Sequence, residues 1–166
     1  MTGLALRTAS PEETRAVGAA LAGLLEPGDV VLLSGELGAG KTTLVKGVVA
    51  ALGGGEAVTS PTFTLCHLYA TTPPVAHVDC WRLQRVGEAL DLALEELLDD
   101  GAVALVEWGE ALAPLYGRWA LRLCLNPLAG EEDGRELVIA PAGGGGGWEE
   151  RLSELALRLR AAGLAA

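Results

Sequence analysis

VVLLSGELGAGKTTLVKG, residues 30–47, is the stretch that decides the fold. It begins with a continuous run of valine and leucine, which is typical of a strand buried on both faces of a sheet. Gly35, Gly40, Lys41 and Thr42 then follow the spacing G-x-x-x-x-G-K-S/T, and a helical pattern comes directly after them. A buried strand, a loop rich in glycine and a helix in this order predict a site that holds phosphate groups.

The residue types of the glycine-rich loop (residues 35–40) suit the chemistry of a nucleoside triphosphate. Glycine has no Cβ, so the backbone can approach phosphate closely, and the loop N–H groups and the helix N-terminus face the anion. We expect Lys41 to reach the β- and γ-phosphates and to act in catalysis, and Thr42 to place its hydroxyl on Mg²⁺. The residues expected to bind nucleotide are Glu36, Gly38, Ala39, Gly40, Lys41, Thr42 and Thr43.

Strand-like and helix-like segments alternate along the chain and predict an α/β fold. The predicted strands are 4–8, 30–34, 63–70, 75–79, 102–108, 119–125 and 135–141, and the predicted helices are 10–25, 41–53, 86–100 and 148–162. We therefore expect a single domain that resembles the P-loop NTPases, with a mixed, mostly parallel sheet flanked by helices. In this prediction residues 1–142 form the P-loop domain, the glycines at 143–147 form a linker, and residues 148–166 add a helix that packs on the same domain.

Composition restricts the function further. The chain has 166 residues and a formal net charge of −10, which argues against direct binding to nucleic acid because such binding needs a basic face. No apolar run has the length of a membrane-spanning helix, and the start of the chain does not resemble a signal peptide, so we expect a cytoplasmic protein.

Residues 86–113 contain acidic side chains and no lysine or arginine. This segment is either a solvated helix face or a docking surface for a basic partner.

Two acidic side chains end strand-like runs, Asp79 in VAHVD and Glu107 in ALVEW. The carboxyl ends of parallel strands meet at one edge of a sheet, which is where ligands bind in open α/β folds. Mg²⁺ takes carboxylate ligands, and hydrolysis of a triphosphate needs a group that orients or deprotonates water. One acid for the metal and one for the water is the simplest assignment, and the residues alone do not decide which is which.

TSPTFT, residues 59–64, lies between the helix that follows the glycine-rich loop and the next predicted strand. In nucleotide-dependent switches a segment at this place responds to the γ-phosphate. The hydroxyls of Ser60, Thr62 or Thr64 are candidates for this contact, although a plain turn explains the composition equally well.

The class of nucleotide protein follows in part from missing motifs. The sequence has neither N-K-x-D nor D-x-x-G, which disfavours a GTPase of the Ras type. A small-molecule kinase usually needs several basic residues beyond the loop to shield charge. After Lys46 the next basic residues are Arg82 and Arg85, and then none until Arg118. A stand-alone kinase therefore remains the alternative to an ATPase, together with a nucleotide-binding module that does not hydrolyse. Arg82 either approaches the phosphates or forms a surface ion pair.

Four motifs, GELGAGKTT, TSPTFTL, HVDCWRL and VEWGE, resemble the bacterial TsaE (YjeE) family and occur in the family's order. Members of this family help to make threonylcarbamoyladenosine (t6A) in tRNA. The resemblance implies that the nucleotide is ATP with Mg²⁺, and that Lys41 and Thr42 hold phosphate and metal. It further implies that Glu107 is the second metal ligand and that Asp79 activates water. It also places the switch segment, with Ser60, Thr62 and Thr64, near the γ-phosphate.

The resemblance also implies partners. Such ATPases dock on a heterodimer of the transferase subunit TsaD and its paralogue TsaB, and ATP hydrolysis resets that complex between turnovers. The protein would then meet tRNA only indirectly, through the complex, and it would need no membrane, in agreement with its acidity. Hydrolysis by the isolated chain is expected to be slow. The sequence departs from the family where Phe63 replaces a frequent tyrosine and where Cys80 and Trp81 replace leucine and tyrosine.

Overall fold

A computed structural model of the protein describes residues 3–55, 57–61, 65–81 and 93–164. The strands are β1 (Leu4–Thr8), β2 (Val30–Ser34), β3 (Cys66–Tyr69), β4 (Val75–Asp79), β5 (Val103–Glu107), β6 (Leu121–Pro127) and β7 (Arg135–Pro141). The helices are α1 (Pro11–Ala22), α2 (Lys41–Ala51), α3 (Leu94–Asp99), α4 (Ala113–Tyr116) and α5 (Trp148–Ala161), and a 3-10 helix spans Gly109–Leu112. Among the helices of these residues, none is both long enough and apolar enough to cross a membrane.

The described strands form one seven-stranded sheet in the order β1-β7-β6-β2-β5-β4-β3. The four adjacent strands β6, β2, β5 and β4 run parallel to one another. β7 runs against β6 and β1, and β3 runs against β4, so β1 points in the same direction as the four central strands. The mixed, mostly parallel sheet flanked by helices is therefore confirmed.

The central strand β2 shows why its sequence is continuously apolar. It lies between β5 and β6, and Val30, Val31, Leu32 and Leu33 are all buried. Val31 and Leu33 belong to the core layer shared with α1, α2 and α5, whereas Val30 and Leu32 belong to the layer on the other face of the sheet. Both faces of β2 are covered, and so its side chains do not alternate between apolar and polar.

Side chains of Ser10 and Glu13 cap the N-terminus of helix α1. The hydroxyl of Ser10 accepts a hydrogen bond from the N–H of Glu13 at 3.2 Å, and Pro11 occupies the first turn. The carboxylate of Glu13 accepts from the N–H of Ala9 at 2.7 Å. Both bonds stabilise the N-terminus of the helix, because the side-chain oxygens accept from N–H groups that lack a partner within the helix.

The structure corrects some predicted boundaries. Strand β6 begins at Leu121 because the N–H groups of Trp119 and Ala120 donate to the carbonyl of Tyr116 and so close the end of α4. The predicted strand at 63–70 is described from Cys66 onward, and the predicted helix at 86–100 is described as Leu94–Asp99. Thr62, Phe63, Thr64, Arg82 and Arg85 lie outside the described residues.

Helix α5 closes the core at the side of β1 and β7. Leu152, Leu155 and Leu159 are buried in the same apolar cluster as Leu137 and Ile139 of β7. The apolar face of the helix therefore packs against the sheet, and its assignment to the same domain stays a prediction.

A second set of contacts holds the start of α5. Arg151 donates to the Asp29 carboxylate at 2.5 and 3.1 Å, and its guanidinium lies 3.6 Å from the centre of the Trp148 ring. Trp148 in turn donates from Nε1 to the carbonyl of Trp119 at 2.8 Å. These bonds tie the start of α5 to the turn before β2 and to the segment before β6.

Candidate functional site

The glycine-rich loop connects the C-terminal end of β2 to the N-terminus of α2. Gly35 has a φ of 141° and Gly40 a φ of 105°, in the range that favours glycine. A Cβ on Gly35 would lie 2.4 Å from the carbonyl oxygen of Leu125, so a side chain at this position would force the loop away from β6. The loop can follow this path only with glycine at these positions.

Lys41 is the first residue of α2 and lies at the centre of the site. Its Nζ donates to the carbonyl of Gly35 at 2.6 Å and to that of Glu36 at 2.9 Å, and it lies 4.0 Å from the centre of the Trp108 ring. Burial of the ammonium lowers the pKa of Lys41, against the opposing effect of the carboxylates of Glu107, Glu110 and Asp79. A cation that is poorly solvated in this way gains from contact with an anionic ligand.

Thr42 and Glu107 meet beside Lys41. Thr42 Oγ1 donates to Glu107 Oε1 at 2.6 Å, and His77 Nε2 lies 2.8 Å from the same oxygen. An ionised carboxylate only accepts hydrogen bonds, so His77 is assigned the proton on Nε2. The site thus brings together a hydroxyl oxygen and a carboxylate, which are hard oxygen ligands of the kind that Mg²⁺ prefers.

Asp79 ends β4 directly beside Glu107, its partner in the parallel register with β5. Its Oδ2 accepts from the hydroxyl of Ser60 at 2.8 Å, and its Oδ1 accepts from the N–H of Trp81 at 2.8 Å. Asp79 is 3 % exposed and Glu107 4 %, so both carboxylates are largely withdrawn from water. The structure brings the two acids to one edge of the sheet, and it brings Ser60 of the predicted switch segment to Asp79.

These side chains line a cleft of about 330 Å³. The cleft is bordered by residues 37–43 and by Ser60, Asp79, Trp81, Glu107 and Trp108. The rings of Trp81 and Trp108 are 4.2 Å apart, and Trp81 is 53 % exposed. Of the residues that the sequence predicts for the site, Glu36 belongs to the loop but does not line the cleft, and its carbonyl accepts from Lys41 and from the N–H of Ala39. Thr62 and Thr64 lie outside the described residues.

Two residues near the cleft were missed by sequence reasoning. His77 is fully buried and contacts Glu107, and Arg135 donates to carbonyls of the glycine-rich loop. A signal for His77 exists, because it is a polar residue in an otherwise apolar strand and lies two positions before Asp79, on the same face. No local pattern indicates Arg135, whose contact spans 96 residues of sequence.

Known proteins resemble this chain along most of its length. A family model described as "Threonylcarbamoyl adenosine biosynthesis protein TsaE" matches residues 8–136. The chain is 38 % identical to the "tRNA threonylcarbamoyladenosine biosynthesis protein TsaE" of Bacillus subtilis, over 86 % of this chain and 89 % of that protein. It is 41 % identical to the protein of the same name from Streptomyces coelicolor, over 81 % of this chain and 93 % of that protein.

A solved structure is similar over nearly the whole chain. The crystal structure of YdiB from Bacillus subtilis superposes with a TM-score of 0.72 at 30 % sequence identity, and the match covers 98 % of each chain. The family model matches more than half of this sequence, and the relatives match along most of their own length. The chain therefore belongs to the TsaE family.

Proposed function

We propose that the protein is a Mg²⁺-dependent ATPase that supports t6A synthesis on tRNA by resetting a threonylcarbamoyl transferase complex. The observation that carries the proposal is the convergence of Lys41, Thr42, Glu107 and Asp79 on one cleft that residues 37–40 of the glycine-rich loop also border. The names of the relatives supply the pathway, because they describe proteins of tRNA threonylcarbamoyladenosine biosynthesis. ATP and Mg²⁺ are the ligands proposed for the cleft.

The first part of the proposed mechanism is binding. The N–H groups of the glycine-rich loop and of the first turn of α2 face the phosphates. Lys41 exchanges its bonds to the carbonyls of Gly35 and Glu36 for bonds to β- and γ-phosphate oxygens, which restores a charged partner to its buried ammonium. Thr42 Oγ1 and the Glu107 carboxylate are the oxygen groups that would hold Mg²⁺. A bound Mg²⁺ would neutralise charge that develops on the phosphates.

The second part is the activation of water. Asp79 lies beside Glu107 and is nearly buried, so its carboxylate can orient a water molecule at the end of the triphosphate and accept its proton. Ser60 donates to Asp79 and links the predicted switch segment to this carboxylate. We propose that this bond couples Ser60 to the group that handles the water, and the contact of the switch segment with the γ-phosphate stays a prediction.

The partners follow from the family and from charge. We propose that the protein acts on a transferase heterodimer of the TsaD–TsaB type and meets tRNA only through that complex, because a net charge of −10 disfavours direct contact with nucleic acid. The cytoplasmic location expected from the sequence stays a prediction.

The alternative of a small-molecule kinase is less well supported, since Lys41 is the single basic residue in the described lining of the cleft.

The Asp79→Asn variant tests the catalytic part of the proposal. The amide keeps the size of the side chain but is a far weaker base, so ATP hydrolysis should fall by about 10²-fold or more, the usual contribution of a general base. Phosphate release would be measured with the transferase complex present, and ATP affinity by isothermal titration calorimetry. Affinity within a few-fold of the wild type is expected. Full hydrolysis by the variant would contradict the role of Asp79.

A further inference from the structure

Arg135, the first residue of β7, directs its guanidinium at the back of the glycine-rich loop. Its Nε donates to the carbonyl of Ala39 at 2.8 Å, and its Nη2 donates to the carbonyl of Gly38 at 3.1 Å. Its Nη1 donates to the carbonyls of Glu132 and Gly134 at 3.0 and 2.8 Å. The side chain therefore joins the loop to the turn between β6 and β7 through four hydrogen bonds, all to backbone oxygens.

The geometry of arginine makes this link rigid. The guanidinium is planar and presents its N–H groups in a fixed fork, so two bonds to its own turn hold the direction of the other two. Arg135 is anchored in the described sheet as well, because β7 pairs with both β1 and β6. The loop carbonyls thus bond to a group whose position is set by the sheet and not by the loop.

The direction of the carbonyls decides the direction of the loop N–H groups. In a trans peptide the C=O and the following N–H point to opposite sides. The carbonyl of Ala39 points to Arg135, so the N–H of Gly40 points away from Arg135. Ala39 and Gly40 both border the cleft, whereas Arg135 is not among the described residues that line it. Arg135 also keeps the partial negative charge of two carbonyl oxygens turned away from the cleft, where they would repel an anion.

Glycine makes this external support necessary. Gly38 and Gly40 both have positive φ values, and glycine populates several backbone regions with similar ease. A loop of this composition does not hold one set of N–H directions by itself, and ordering it on binding would reduce affinity. We propose that Arg135 is a positioning residue that pre-organises the glycine-rich loop for phosphate. This inference rests on the proposed function, since it takes a nucleotide phosphate as the ligand.

The test compares phosphate binding by Arg135→Met and by a matched control, Arg7→Met. Arg7 is an exposed residue of β1, so the control removes the same charge from the same sheet without touching the loop. Affinities for ATP and for inorganic tripolyphosphate would be measured by calorimetry. We expect Arg135→Met to weaken both by about tenfold, the scale of one or two lost orienting hydrogen bonds. Arg7→Met should bind both within about twofold of the wild type.

Two further readouts separate positioning from general stability and from charge. A role in stability alone would lower the melting temperature and leave the affinity of the folded protein unchanged. The NMR signal of the Gly40 amide should shift in Arg135→Met even without ligand, because its N–H direction is no longer fixed. Arg135→Lys retains the charge but not the planar fork, so it should recover only part of the affinity for ATP and tripolyphosphate. If Arg135→Met fails to fold, the same affinities measured with Arg135→Lys test the inference.

The outcomes distinguish this inference from the proposed function. Arg135→Met binding tripolyphosphate as tightly as the wild type would overturn the inference, and so would full recovery by Arg135→Lys. If the wild-type protein itself did not bind ATP, the proposed function would fail first. If the wild type binds and Arg135→Met binds equally well, the inference alone fails.

Discussion

At the scale of single residues, Glu107 is the side chain on which most of the site converges. One of its oxygens receives hydrogen bonds from the Thr42 hydroxyl and from the buried His77 ring. Partners of this kind fix the orientation of a carboxylate before a metal arrives, and they tune its affinity for the metal. The proposed metal site therefore depends on three side chains from three elements, α2, β4 and β5, rather than on a local motif.

The Glu107→Gln variant tests this residue. The amide keeps the shape of the side chain but loses its charge, so the Mg²⁺ concentration for half-maximal ATPase activity should rise about tenfold or more. Glu149→Gln is the control, since Glu149 is an exposed acid of α5 that does not line the cleft. Nucleotide affinity in excess EDTA should be retained by both variants. An unchanged Mg²⁺ requirement in Glu107→Gln would exclude this carboxylate as a metal ligand.

At the scale of elements, α1 packs closely against α2, the helix that begins with Lys41 and Thr42. Two glycines allow this contact. A Cβ on Gly18 would lie 2.2 Å from the carbonyl oxygen of Leu44, and one on Gly47 would lie 2.0 Å from that of Arg15. The two helix backbones approach so closely that even a methyl group does not fit between them.

The Gly47→Ala variant measures the importance of this close approach. Alanine favours an isolated helix by about 1 kcal/mol over glycine, but here its methyl group would push α2 away from α1. We expect the free energy of unfolding in urea to fall by about 1–3 kcal/mol, the usual cost of overpacking. Lys46→Ala, at an exposed neighbouring position of α2, should change it far less. A more stable Gly47→Ala protein would show that helix propensity outweighs packing at this contact.

The extent to which the sequence predicts the structure differs between local and long-range features. The buried strands, the capped start of α1 and the glycine-rich loop follow from patterns within a few residues, and the structure contains each of them. Asp79 and Glu107 were predictable as neighbours because each ends a parallel strand. The contacts of Arg135 and Gly47 depend instead on segments far away in the chain, and sequence patterns do not encode such packing.

At the scale of the whole molecule, the residues of the proposed chemistry lie together at the C-terminal ends of the parallel strands. The glycine-rich loop, Asp79 and Glu107 all follow or end the parallel strands β2, β4 and β5, and so they lie at one edge of the sheet. Helix α5 packs beside α1 and β7 and is held by the Arg151–Asp29 ion pair. The half-exposed Trp81 borders the cleft. Among the described residues, Trp81 therefore presents an exposed aromatic surface beside the proposed nucleotide site.

We propose that the protein hydrolyses ATP in this cleft and thereby resets a transferase complex. A reconstituted reaction measures this directly. The protein would be combined with a TsaD–TsaB type heterodimer, tRNA, ATP and threonylcarbamoyl-adenylate, and modified tRNA would be counted per heterodimer. Wild-type protein should support many turnovers, whereas Asp79→Asn, or omission of the protein, should leave the heterodimer at a single turnover. A heterodimer that turns over equally well without the protein, or equally well with Asp79→Asn, would contradict the account.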